Sequence, residues 1–146
     1  MAADQQIEDT MMKAIQFSRG LRVALTGAAL TCAATAALAD IRNYEFKLVE
    51  PAVKTGRDKI IAVKLIDNTT GKAVPDAVIF ATRLDMAPDA MQEMVSELTP
   101  LPGSEPGTYR FKADFSMAGR WQLSLGAKVQ GETGTVDNKL VIQADK

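Results

Sequence analysis

The chain has 146 residues, the size of one domain, and carries 17 Lys and Arg against 18 Asp and Glu, a net charge of −1. No block of one charge sign occurs, so nothing argues for nucleic acid as a partner. Histidine is absent and the single cysteine is Cys32, so beyond Cys32 there is no Ser-His base, no thiolate and no zinc-ligand set.

Residues 23–39 read VALTGAALTCAATAALA, an uncharged run preceded by Lys13, Arg19 and Arg22. It ends in Ala37-Leu38-Ala39 followed by Asp40, small-large-small before a polar residue. This order predicts a secretory signal peptide cleaved after Ala39, with Ala37, Ala39 and Asp40 forming the cleavage site. The alternative is an uncleaved segment that anchors the protein, although the run falls short of the ~20 residues a span needs. Asp4, Glu8 and Asp9 do not suit a signal, and Met11 or Met12 would begin a better one. Ala29 stands where a lipobox would want leucine before Cys32, so lipidation is not expected. The predicted organisation is a leader over 1–39 and one exported, periplasmic domain over 40–146. That domain has no thiol and must fold by core burial alone.

The domain reads as short apolar runs between turn signals. Tyr44 to Val49 is a first strand, closed by Glu50-Pro51, and Lys54 to Asp58 a turn. Lys59 to Ile66 is β-branched, with Ile61, Val63 and Leu65 on one face. Asp67 to Lys72 is a strong turn. Ala77 to Asp85 alternates, with Val78, Phe80, Thr82 and Leu84 predicted on one side. Pro88 suits a first helical position, so residues 88–96 suggest a helical turn that would put Met91 and Met94 on one face. Val95 to Thr99 is a short strand, and Pro100 to Gly107 the densest turn signal. Thr108 to Asp114 alternates Tyr109, Phe111 and Ala113 against Arg110 and Lys112. Arg120 to Val129 places Trp121, Leu123, Leu125 and Ala127 together, and Thr135 to Ala144 is the last strand. About seven strands at this turn spacing predict an all-β, immunoglobulin-like antiparallel β-sandwich. Phe80, Tyr109, Phe111 and Trp121 are the expected aromatic core.

The chemistry is concentrated in methionine. The four that follow the leader, Met86, Met91, Met94 and Met117, all fall within 86–117. If the strands after Ala77 run up and down, the loops at 86–94 and 115–119 share one end of the sandwich. Thioethers are soft ligands that suit Cu(I) and not zinc, calcium or magnesium. They are equally flexible fillers of cores and contact patches. The residues therefore allow either a Cu(I) site of Met86, Met91, Met94 and Met117 or a plug plus an apolar patch, and packing is methionine's commoner role. A carboxylate pair such as Asp85 with Asp89 is more often solvated than catalytic, and no phosphate-binding glycine loop occurs. Arg120, between Gly119 and Trp121, can hold an anion or cap its strand.

Several of these residues resemble a known family. Asp85-Met86-Ala87-Pro88, Met91 and Met94, Thr99-Pro100-Leu101-Pro102, Gly107-Thr108-Tyr109-Arg110-Phe111 and Ser116-Met117-Ala118-Gly119-Arg120-Trp121 are similar to the YtkA-like (FixH-related) domain. Thr70-Gly71-Lys72 and Val74-Pro75-Asp76-Ala77 fit as well. The resemblance implies an exported immunoglobulin-like sandwich and a place in copper or heavy-metal handling, while the missing histidine and thiol make an enzyme the least expected reading. Its implied partner is a membrane transporter or an oxidase-assembly complex. It carries the family's methionines onto Met86, Met91, Met94 and Met117. The missing histidine leaves Cu(I), not Cu(II), as the metal such a set would hold. The alternative function is a non-catalytic interaction module that docks on such a partner without metal.

Overall fold

A computed structural model describes residues 40–103 and 105–146. The predicted signal peptide and the Ala37 and Ala39 half of its cleavage site lie outside these residues. Asp40 lies inside them and accepts the Arg42 N–H, opening a 3-10 turn over Ile41–Asn43. Among the described residues, no helix is long and apolar enough to cross a membrane.

Ten strands follow: β1 Tyr44–Leu48, β2 Ala52–Lys54, β3 Gly56–Asp67, β4 Lys72–Ala73, β5 Val78–Met86, β6 Met91–Ser96, β7 Leu98–Leu101, β8 Thr108–Phe115, β9 Gly119–Lys128 and β10 Val136–Asp145. They form two sheets. One runs β1-β3-β8-β7, with β4 also on β3, and the other runs β2-β10-β9-β5-β6. Every pairing is antiparallel except β2 on β10. This is an immunoglobulin-like sandwich, in which the first strand divides between the sheets and a meander from β8 to β10 crosses from one to the other.

The division follows from Pro51. Proline lacks the N–H that a continuing ladder needs, so the chain leaves β3 after Val49, whose N–H still donates to the Ala62 carbonyl, and rejoins at β10. There Pro51 accepts the Gln143 N–H at 2.8 Å, and Thr55 donates to Asp145 at 2.7 Å. The predicted turn at 54–58 is therefore shorter than expected, because β2 and β3 occupy most of it.

Alternation places the core. Ile61, Val63 and Leu65 of β3 and Phe111, Ala113 and Phe115 of β8 face inward. They meet Trp121, Leu123, Leu125 and Ala127 of β9 and Ile142 of β10. Trp121 stands edge-on to Phe115 with ring centroids 5.5 Å apart, a preferred aromatic geometry. Tyr109 is half-buried, edge-on to Phe46, and its hydroxyl pins a loop. It donates to the Val74 carbonyl and accepts the Ala77 N–H, both at 3.0 Å.

Three expectations fail, each for a local reason. Phe80 is not core: it is 57% exposed, and Val78 and Thr82 are exposed with it. The register of β5 on β9 slips between Ile79 and Ala81, so Phe80 is a bulge residue re-aimed outward. Residues 88–96 are not helical beyond one turn. Ala87–Asp89 form a 3-10 turn with proline at its start, Ala90 ends it in the left-handed region (φ 59°), and β6 begins at Met91. The expected strand at 95–99 is two strands, because the chain changes sheets at Glu97.

Candidate functional site

Met86 ends β5, and Met91 begins β6 directly opposite it in register. Leu84 pairs with Ser96 and Asp85 with Val95, so Gln92, Glu93 and Met94 form a bulge between Val95 and Met91. The Arg83 guanidinium fixes that bulge by donating to the Gln92 carbonyl at 2.9 Å. Strand geometry removes the helical spacing that would have put Met91 and Met94 on one face.

The loop carrying Met117 sits at the same end and is clasped to the 87–89 turn. Asp89 accepts the Arg120 backbone N–H at 2.7 Å and its Nε at 2.8 Å, and Arg120 Nη2 donates to the Pro88 carbonyl at 2.8 Å. The Arg120 backbone N–H and then its guanidinium hold the Asp89 carboxyl below the usual carboxylate range. Gly119 makes the close approach possible. Its φ is +143°, and a Cβ there would lie 2.6 Å from Met86 Cε and 2.8 Å from Asp89 Oδ2. Trp121 Nε1 then donates to the Met117 carbonyl at 3.2 Å, fixing the loop from beneath. Arg120 is thus a clasp and does not present a free anion site. Its pairing with Asp89 is what sequence reasoning missed, since the two lie 31 positions apart.

The four thioethers are not equivalent. Met86 is fully buried (0%) in the core, and Met91 is half-buried and packed against it. Met94 and Met117 are 39% and 40% exposed. The end therefore consists of a plug, Met86, beneath accessible sulfur residues. Asp85 and Asp89 are not a pair. Asp85 is buried and accepts Arg83 Nε at 2.5 Å and the Ala87 N–H at 3.0 Å, while Asp89 is held by Arg120. Among the described residues, no three of His, Cys, Asp and Glu gather so as to hold a metal ion.

Fold and site together define a small β-sandwich module with a clasped, methionine-bearing end. The chain belongs to the YtkA-like family, which it matches over residues 38–126. No curated protein matches it. Among solved structures it is similar to the filamin domain of Lin-41, at 19% identity over 70% of this chain and 92% of that one, with a TM-score of 0.43. It is also similar to the C-terminal domain of ZirS, at 13% identity over 73% and 68% of the two chains, with the same TM-score.

Proposed function

We propose that this protein is an exported, non-catalytic accessory of metal handling that holds Cu(I) on the accessible thioethers of its methionine end. One observation carries the reading: the Asp89–Arg120 clasp keeps the Met117 loop at the end where Met91 and Met94 lie, with Met94 and Met117 open to solvent. Met91, Met94 and Met117 are the ligands this reading assigns. Met86 fills the core beneath them and is removed from the four-residue set, because none of its surface reaches solvent. Thioethers bind without losing a proton and prefer soft ions, so such a site discriminates against zinc and calcium without any charged ligand. Export rests on the leader pattern ending at Ala37-Leu38-Ala39.

X-ray absorption on the Cu(I)-loaded protein tests this. A shell of sulfur alone is expected. A shell of oxygen or nitrogen alone, or failure to load, overturns the reading. A second reading has the same surface as a soft apolar contact for a membrane transporter or assembly partner. It is favoured by the exposure of Val95 (53%), next to Met94 in β6. Failure to load Cu(I) decides for it.

A further inference from the structure

The edges of the two sheets are protected unequally. Natural sheets blunt their edges with proline, charge, bulges or short strands, because an open edge pairs with foreign strands. Here β7 carries Pro100, β1 carries exposed Glu45 and Lys47, and β2 and β4 have three and two residues. β6 is bulged at Met94 and bears Glu93.

β5 differs. On one side it pairs with β9 from Val78 to Asp85, but on the other β6 covers only Leu84 to Met86. Residues 78–82, Val-Ile-Phe-Ala-Thr, therefore form an edge without charge or proline. Val78 (59%) and Phe80 (57%) are the most exposed large apolar side chains of the described residues. The bulge at Phe80 turns its ring toward the Gly126 face instead of closing the edge.

Beside this edge runs a groove of about 230 Å³, between Ile79, Phe80 and Thr82 of β5 and Leu101, Arg110 and Phe111 across it. Two of its polar groups lack a counterpart. Among the described residues the Arg110 guanidinium forms no ion pair, and its one hydrogen bond, to the Pro102 carbonyl, is 3.5 Å long. Thr108, also lining the groove, is 8% exposed, and its hydroxyl has no hydrogen-bond partner among the described residues. Buried hydroxyls are nearly always satisfied, so an orphan one at a groove marks a place where a ligand supplies the missing partner.

We propose that the 78–82 edge of β5 is a docking site for one extended strand of another protein, carrying an acidic side chain between apolar ones. The strand adds to β5 by main-chain hydrogen bonds, seats alternate apolar side chains against Phe80 and Phe111, and places its carboxylate on Arg110. Charge complementarity selects this occupant over symmetric pairing with the β5 edge of a second copy. The only acid in β5 is Asp85, which is buried against Arg83 and the Ala87 N–H, so a second β5 brings no free carboxylate to Arg110. The inference is independent of the metal reading, since the groove contains no methionine.

The test uses the full chain and labelled peptides of alternating threonine and valine with one central glutamate, or lysine in its place. Fluorescence anisotropy at low salt should show the glutamate peptide binding about fivefold more tightly, the effect of one partly desolvated ion pair. Arg110→Glu should invert the order. If that variant does not fold, Arg110→Gln should abolish the preference. Amide shifts in NMR should centre on 78–83. Equal affinities, no binding, or shifts centred on β1 or β2 would overturn the proposal. So would broadening of the 78–83 amides with protein concentration alone, which would assign the edge to a second copy.

Discussion

Replacing Gly119 by alanine tests whether the Met-Ala-Gly-Arg-Trp segment is a mechanical clasp. Two costs add. The backbone is at φ +143°, a region that side chains with a Cβ rarely adopt, and holding alanine there costs about 1–3 kcal/mol. The new methyl would also stand 2.6 Å from Met86 Cε and 2.8 Å from Asp89 Oδ2. Met86 can swing its terminal methyl, but the Asp89 carboxylate is fixed by two donors of Arg120, whose guanidinium is itself held by the Pro88 carbonyl. Overpacking of this kind costs about 1–3 kcal/mol. The sum, about 2–6 kcal/mol, is a large part of the roughly 5–15 kcal/mol available to a domain. Gly131→Ala supplies the control: its φ is +82°, but nothing lies within 4 Å of its Cβ, so only the backbone cost of about 1–2 kcal/mol applies. Urea unfolding should show Gly119→Ala losing markedly more than Gly131→Ala, with an unchanged slope. Equal losses, or a Gly119→Ala loss below about 1 kcal/mol, would refute the clasp.

The clasp also has a pH signature. Arg120 lowers the folded-state pKa of Asp89, and the Thr69 backbone N–H does the same for Asp67. Their stabilisation is therefore complete above the unfolded carboxyl value of about 3.9 and is lost as pH falls through the folded values. The urea midpoint of Asp89→Asn should lie below that of the unaltered protein at pH 7 and converge with it in acid; a gap constant with pH would contradict this. Tyr109→Phe deletes the hydroxyl that holds Val74 and Ala77, and should cost about 1–3 kcal/mol in urea unfolding. Because burial raises the Tyr109 pKa, its phenolate absorbance should appear above pH 10, and stability should fall as pH rises past that value. Met86→Leu keeps the core volume and should cost less than about 1.5 kcal/mol, whereas Met86→Ala should cost about 2–5 kcal/mol.

Much of this architecture is legible where one phase of alternation is apolar and the other is not. Ile61, Val63 and Leu65 interleave with lysine and alanine, and Trp121, Leu123 and Leu125 with glutamine and serine, so their faces follow directly. Val78-Ile79-Phe80-Ala81 is apolar in both phases, and the bulge that shifts it is decided by packing on β9. β2 is invisible to local reasoning because only its parallel pairing with β10, some ninety positions away, makes it a strand. Pro88 truthfully marks a helical turn, but Ala90 stops it after three residues. Strand parity places the 86–94 and 115–119 segments at one end, as the clasp between Asp89 and Arg120 shows. Parity carries no information about depth, and depth separates buried Met86 from exposed Met94 and Met117.

The most direct measurement is Cu(I) titration of the full chain against a competing chelator, comparing the unaltered protein with Met86→Leu and with the Met94→Leu/Met117→Leu double variant. The metal reading predicts unchanged affinity for Met86→Leu. It predicts at least a tenfold loss for the double variant, roughly 1.4 kcal/mol of binding free energy. No Cu(I) uptake by the unaltered protein, or a loss confined to Met86→Leu, would contradict it.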